Sequence, residues 1–373
     1  MFRLVFAFVS IVSCEHAFVL GAAMAFEVDF LAVGEGEKSG DAIAVRWGNL
    51  AGPRAEQKIL IIDGGTLEAG KNLVKHVQNY YGTTFVDAVL CTHPDIDHAC
   101  GLKVVLEELD FGFLLMHQPW NHASEILDLF KNPFTATKLK EKLQKAITTA
   151  HELQEICDDK GKKVYEPFTG VTWDSIRILG PTRDYYQQLV TQFRDTPAAF
   201  YSVPSILQKA VASAKETIEW VAEKFDMQYE SLDDSGVTSH ENNSSTILLL
   251  AVDGYKLLFT ADAGIPALTA AADYAASLNI RLDDLRLMQV PHHGSKHNVG
   301  KTILNRIKAG NALVSAGATA PKHPARKVTN AFIRRGSTVC VTAGKNLCHR
   351  FGSSARAGWV SAENVPFYDQ VEA

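Results

Sequence analysis

The stretch Val86-Asp87-Ala88-Val89-Leu90-Cys91-Thr92-His93-Pro94-Asp95-Ile96-Asp97-His98 decides how this chain is read. Its first half is a short apolar run ending near Thr92, which predicts a buried strand. Its second half, just ahead of a helix predicted over 101–109, gathers two imidazoles and two carboxylates within six positions. Burying those four groups for structural reasons alone costs several kcal/mol unless they are paired or bound to a cation. A metal supplies that compensation. A single ion rarely takes four ligands from so short a turn, whereas two ions ~3.5–4 Å apart can divide them.

Working outward, three later segments offer matching groups. Asp262 follows a predicted strand at 256–260, in Leu258-Phe259-Thr260-Ala261-Asp262-Ala263-Gly264. A carboxylate at such a strand end can bridge two ions with its two oxygens. Val290-Pro291-His292-His293-Gly294-Ser295 sets paired imidazoles after the strand 285–290, with glycine allowing close backbone approach. His323, before Pro324, follows the strand 313–315. All four segments stand at C-terminal strand ends, where open α/β sheets bind their ligands.

The surrounding pattern alternates short β-rich runs with helices. Strands are predicted at 26–33, 42–47, 58–62 and 86–92, with a helix at 68–81. A second series has strands at 245–252, 256–260, 285–290, 313–315 and 337–342, with helices at 267–277, 301–308 and 328–335. Between them, about 120–235, the pattern is helical and amphipathic, notably over 137–157 and 204–225. The simplest architecture is α/β, two packed sheets with helices outside, in one αββα domain over 26–373 carrying a helical insertion at about 120–235.

Composition agrees with a globular fold. Of 373 residues, 46% are hydrophobic and 21% charged, which excludes disorder, collagen and coiled coil. No run reaches the ~18 apolar residues of a membrane span. Residues 1–25 read either as a signal segment or as sequence ahead of the true start. Arg3, the apolar stretch from Leu4 and Ala23-Met24-Ala25 resemble an export signal, and Ile11-Val12-Ser13-Cys14 resembles a lipobox. Glu15 and His16 interrupt that stretch, and Met24 opens a segment that reads as a first strand, so a cytoplasmic protein starting at Met24 is expected, with export the alternative. Cys91, Cys100, Cys157, Cys340 and Cys348 show no metal spacing and are expected as free thiols. His76, His117, His122, His151 and His349 sit singly and are expected in packing or surface roles. No Gly-x-Gly-x-x-Gly or Walker loop precedes a helix, so nucleotide-binding folds have no support.

Charge is uneven. The chain carries net −5, yet from 286 to 362 it has 13 Lys and Arg and no Asp or Glu. Such a segment along a cleft favours an anionic substrate.

The order His-x-Asp-x-Asp-His, Thr-Ala-Asp, Pro-His-His-Gly-Ser and His-Pro resembles the metallo-β-lactamase superfamily, most closely the soluble hydrolase domain of ComEC-type competence proteins. Val33-Gly34-Glu35-Gly36, Gly40-Asp41-Ala42-Ile43, Ile62-Asp63-Gly64-Gly65 and Asn243-Ser244-Ser245 fit the same pattern. The likeness spans roughly 26–116 and 240–342, and leaves the middle uncovered. It implies the αββα metallo-β-lactamase sandwich and two divalent metal ions, usually zinc, sometimes manganese or iron. Carried over, His93, Asp95 and one of His292 and His293 hold one ion. Asp97, His98 and His323 hold the other, and Asp262 bridges. Asp95 stands where the superfamily usually has histidine, and an oxygen ligand there makes manganese a competitor to zinc. His240 lies near where many members place another ligand, one the ComEC-like subgroup lacks.

The implied chemistry is hydrolysis by a hydroxide shared between the ions. Asp97 would orient it, and Lys296 or His297 would help stabilise the developing charge. His293 would protonate the leaving group if His292 is the ligand. Asp63 is expected to brace the ligand loop, and Asp41 has a similar claim. Phosphoesters or phosphodiesters, including nucleic acid, are the expected substrates. One alternative is a carboxylic ester, lactone or lactam hydrolase, favoured by a pocket without Lys or Arg near the metals. The other is a nucleic-acid-binding module of a DNA-uptake or defence assembly with little turnover.

Overall fold

The computed structural model describes residues 24–34, 39–131, 134–197 and 219–373. Residues 1–23, with the signal, lipobox and Cys14 readings, lie outside them, as do Glu35 and Gly36. Strands β1 (Ala25–Phe30), β2 (Ala42–Gly48) and β3 (Gln57–Gly64) form an antiparallel meander. Strands β4 (Phe85–Leu90), β5 (Asp110–Leu115) and β6 (Lys163–Tyr165) extend it in parallel. The second sheet repeats the scheme. Strands β7 (Thr172–Trp173), β8 (Ile176–Gly180), β10 (Ile247–Val252) and β11 (Tyr255–Phe259) are antiparallel, and β12 (Leu285–Gln289), β13 (Ala309–Val314) and β14 (Thr338–Val341) continue in parallel. Strand β15 (Leu347–Phe351) closes the first sheet against β1, and β9 (Trp220–Ala222) pairs with β16 (Gln370–Glu372) apart from both.

The strands are apolar on both faces because both faces are covered. In β3, Leu60 and Ile62 enter the core between the sheets, while Ile59 and Ile61 meet the helices on the other side. Phe26, Phe30, Ile43, Val45 and Leu90 face Ile178, Leu248, Leu257, Phe259 and Leu287 across the inter-sheet core. Helices Leu67–His76 and Leu102–Glu108 pack outside the first sheet. Helices Ile265–Ser277, Lys301–Arg306 and Arg326–Arg334 pack outside the second. The result is the α/β, four-layer αββα arrangement expected from the sequence.

Parallel strands need crossovers, and each crossover leaves from a strand's C-terminal end. The ends of β3, β4, β11, β12 and β13 therefore gather along one edge of the sandwich. Gly101 seats the loop after β4 against the end of β3: a Cβ there would lie 2.0 Å from the Gly64 carbonyl oxygen. Only glycine permits that approach.

The middle differs from its expected helical character. The segment supplies β6 to one sheet and β7 and β8 to the other. These strands escape periodicity because β6 has three residues and β7–β8 is a tight hairpin through Asp174, at φ 49°. The run expected as one helix over 137–157 is two, Ala136–Ala146 and Thr148–Asp159, broken at Ile147, whose φ/ψ of −118°/55° is not helical. Of the helix expected over 204–225, residues up to 218 lie outside the described ones and Trp220–Ala222 is a strand. Among the described residues no helix is long and apolar enough to cross a membrane, and the five cysteines named above are free.

Trp47 ties the two sheets together. Fully buried on β2, it donates from Nε1 to Asp174 Oδ1 at 2.8 Å and meets Trp173 edge-on. Trp47→Ala is expected to cost about 3–5 kcal/mol, read as a lower denaturation midpoint in urea. A midpoint unchanged from wild type would show that this contact does not hold the sheets together.

Candidate metal centre

The fold brings residues from three strand ends together. His93 and His98 come from the loop and short helix after β4, Asp262 from the end of β11, and His292 and His293 from the turn after β12. Asp262 is the meeting point. Its Oδ1 lies 3.2 Å from His98 Nε2 and 3.9 Å from His293 Nε2. Its Oδ2 lies 3.5 Å from His292 Nε2 and 3.8 Å from His93 Nε2. Asp97 Oδ2 faces His293 Nε2 at 3.7 Å. Thus both members of the paired-imidazole motif turn toward the same carboxylate.

The backbone is bent to achieve this. Asp63, Ala261, His292 and His293 all have positive φ, between 45° and 57°. Such conformations cost of order 1–3 kcal/mol each in non-glycine residues and persist only where the surroundings impose them. Gly294 follows at φ 83°, and a Cβ there would lie 2.5 Å from Pro324 Cβ. That close approach lets the segment carrying His323 lie over the His292–His293 turn, and the rings of His292 and His323 are 5.7 Å apart.

Neighbouring groups fix each ring. His98 Nδ1 bonds Asp63 Oδ2 at 2.8 Å, and the same oxygen accepts the Thr92 hydroxyl at 2.6 Å. Since that hydroxyl proton is directed at Asp63, Thr92 Oγ1 is left to accept from His93 Nδ1, 3.1 Å away. One carboxylate thus orients two imidazoles, besides accepting from the Thr92 backbone N–H at 2.8 Å. His293 Nδ1 donates to the Ser315 carbonyl at 2.8 Å, and His292 Nδ1 to Asn298 Oδ1 at 2.9 Å. With the Nδ1 positions committed, the Nε2 atoms face inward, the orientation metal-binding histidines require.

Those inward atoms face one another across the cluster, His98 Nε2 and Asp262 Oδ1 at 3.2 Å, without well-formed hydrogen bonds. Nε2 of His93, His98 and His293 and Oδ1 of Asp262 are all buried and make no hydrogen bond. Buried polar atoms are nearly always satisfied. Four orphans aimed at one space fit a divalent cation, and a mixed imidazole and carboxylate set accepts zinc, manganese or iron. Subsets such as Asp97, His98 and His293, or Asp41, His98 and Asp262, offer ligand atoms all within 4.8 Å of one another.

Electrostatics points the same way. Burial opposes a charge on His98, yet Asp262 and Asp63 hold it well above the usual histidine range. Burial likewise opposes a charge on His293, but Asp262, Asp97 and Asp41 raise it to about 9. Burial would lift the Asp262 carboxyl, and the surrounding His292, His98 and His293 instead hold it well below the usual range. For Asp97, too, the His293 and His98 imidazoles outweigh burial and hold the carboxyl down. Burial drives Asp41 up to about 6. Burial and the charge of His98 push His93 down. Burial and the charge of His292 push His323 down to about 3. Protons on His98 and His293 balance carboxylates that a cation would otherwise balance.

Three expected residues stand differently. Asp95 does not face the cluster: both its oxygens bond Arg194 Nη2, at 2.6 and 2.7 Å. Lys296 Nζ donates to the Ala373 carbonyl oxygen at 3.1 Å, which holds its amine on the last residue instead of over the ligands. His293, expected to face a leaving group, has Nδ1 on the Ser315 carbonyl and Nε2 toward Asp97 and Asp262, as the ligand histidines do. The carboxylate-free segment also spends much of its charge elsewhere. Arg306 pairs with Asp273, Arg334 with Glu223, Arg335 with Glu230, and Arg356 with Glu27 and Asp29. His240 is half-buried with an unpartnered Nδ1, outside the groups that converge.

Sequence reading missed Gln289, which takes the Thr260 and Ala261 N–H groups on Oε1 and donates to Asp41 at 2.7 Å. A polar residue following the apolar pair Leu287-Met288 at the end of its strand was its only signal. Asn298, Asn242 and Ser315 gave none.

No family model matches the chain, and no curated protein matches it. Among solved structures it is similar to Tm1679, a metal-dependent hydrolase of the β-lactamase superfamily, with TM-score 0.42 and 12% identity over 87% of this chain and 98% of that one. It is also similar to a mutant of the β-hydroxylase CmlA, with TM-score 0.41 and 10% identity over 87% of this chain and 54% of that one. A third is zinc-bound PqqB from Methylobacterium extorquens, with TM-score 0.40 and 13% identity over 87% and 99%. At such scores the fold stands on its own sheet order and the chemistry on its own side chains.

The raised histidine sets a pH window. Because the folded value of His293 is raised from 6.5 to about 9, its stabilising effect is full below pH 6.5 and is lost as pH rises through 9. Protein stripped of metal by chelation is therefore expected to be less stable at pH 9.5 than at pH 6.5 by on the order of 3 kcal/mol, and so to melt at lower temperature. Calorimetry with and without added zinc reads this. A metal-free transition that is flat across the window would contradict it.

Proposed function

We propose that this protein is a metal-dependent hydrolase whose centre takes two divalent cations and acts on phosphoester or phosphodiester bonds, including those of nucleic acid. The observation that carries the reading is the set of unpartnered Nε2 atoms on His93, His98 and His293 around the unpartnered Oδ1 of Asp262. His93, His98, His292, His293, Asp97 and Asp262 are the residues assigned to hold the ions. When bound, such cations acidify a water and neutralise charge developing on the substrate's electrophilic atom.

The chain's own residues supply the rest. Asp63 and Thr92 orient two imidazoles, and Asn298 and Ser315 two more. Asp97 is half-buried, with one carboxylate oxygen toward His293, and is the acid placed to accept a hydrogen bond from an attacking water. The apolar layers on either side keep bulk water from the buried ligands. Two cations beside ligand residues support an anionic substrate: Arg194, on Asp95, and Lys322, next to His323 in the chain.

A carboxylic ester or lactone substrate is the second reading. Ile96, between two acidic residues of the ligand loop, is 70% exposed, and four arginines of the basic segment are held in ion pairs elsewhere. Both favour a mouth that accepts an apolar group.

His98→Ala and Asp262→Ala should each lower bound zinc or manganese and reduce turnover of bis(p-nitrophenyl) phosphate by at least about a hundredfold. A panel with p-nitrophenyl acetate and a lactone separates the two readings by kcat/KM. Faster lactone hydrolysis would replace the phosphoester assignment. Metal content and turnover unchanged in both variants would remove the hydrolase reading.

A further inference from the structure

We propose that Arg194 withholds Asp95 from the metal centre, so that the centre fills unevenly, one divalent ion tightly and a second weakly. This rests on the reading of the cluster as a cation site. Asp95 lies in the ligand loop, two residues from both His93 and Asp97. The loop's imidazoles leave Nε2 atoms without partners, while Asp95 has both oxygens on one guanidinium nitrogen, at 2.6 and 2.7 Å.

Arg194 is itself anchored. Its Nε donates to Glu241 Oε1 at 3.1 Å, and its backbone N–H to the same oxygen at 2.6 Å. Glu241 is buried in the short helix His240–Asn243, whose Asn242 amide lies 3.2 Å from His292 Nδ1. The guanidinium is therefore held between two carboxylates, and charge-assisted bonds of this kind are among the stronger ones in proteins.

The consequence is an asymmetry in donors. Asp97, His98, His293 and Asp262 form one group in which every ligand faces inward. On the other side stand His93 and His292 against the second oxygen of Asp262, without Asp95. An ion on that side either does without the Asp95 carboxylate, with the His323 ring, 5.7 Å from that of His292, as the remaining protein donor nearby, or must break the Arg194 pair to obtain it. Either route weakens its binding, while the first ion is unaffected. Arg194 is thus a positioning residue acting through Asp95, and it makes occupancy of the second site responsive to whatever draws the guanidinium away.

The test titrates zinc and manganese into chelator-stripped protein, by calorimetry against a chromophoric chelator, with circular dichroism to verify folding. Wild type is expected to bind one ion at least tenfold more tightly than the second. Arg194→Met should tighten the second ion at least tenfold and leave the first within twofold, a gain that damage to the fold cannot produce. Should the Met variant misfold, Arg194→Lys, which keeps the charge but lacks the planar fork, should tighten the second ion severalfold. Asp95→Asn in the presence of Arg194 should leave both affinities within twofold, and added to Arg194→Met it should cancel the gain. Tenfold weaker binding in Asp95→Asn, an unchanged or weaker second ion in both Arg194 variants, or equal affinities in wild type would overturn the proposal while leaving the cation site intact. Binding of neither metal would overturn both.

Discussion

Four carboxylates, those of Asp41, Asp63, Asp97 and Asp262, lie within one small region at the edge of the sandwich, and three of them are fully enclosed. Negative charge taken out of water at that density needs positive charge beside it. Every other feature of the region follows from this requirement. Imidazoles surround Asp262, the acids around His98 and His293 raise the proton affinity of both, and the amide of Gln289 and the hydroxyl of Thr92 donate to Asp41 Oδ2 and Asp63 Oδ2. What remains unmatched, the inward Nε2 atoms and Asp262 Oδ1, is a demand for cations.

The scaffold supports this by stiffness. Half of the eight non-glycine residues with positive φ among the described residues are Asp63, Ala261, His292 and His293. Strain of this kind relaxes unless the flanking structure forbids it. Here β3, β11 and β12 are central strands with partners on both sides, and the helices after them are seated on apolar layers. The rigid sheets fix the strand ends, and the strained turns aim the side chains from there.

The sequence revealed most of what depends on local pattern. The apolar runs of β3, β4, β11 and β12 read directly as strands because each is bounded by glycine or polar turns. The ligands followed from their position just beyond those strands. Asp63 could be named as a brace because it closes a strand beside a glycine pair. What escaped depends on contacts far apart in the chain. Nothing around Arg194 marks it as a partner for Asp95, 99 positions away. The acids that absorb Arg334, Arg335 and Arg356 likewise lie outside the basic segment, so its apparent charge overstated what faces the site. The strands β6 and β7 escaped because strands of three and two residues at the sheet edges carry too few residues for a period to register.

Crystals of the protein grown or soaked with zinc or manganese, measured at the absorption edge of the metal, examine the centre most directly. Anomalous density is expected at ~2.0–2.2 Å from the Nε2 atoms of the inward histidines and from an oxygen of Asp262. Density confined to surface sites, with water molecules bonded to those same nitrogens, would show that the cluster is a buried proton-sharing network instead of a metal centre.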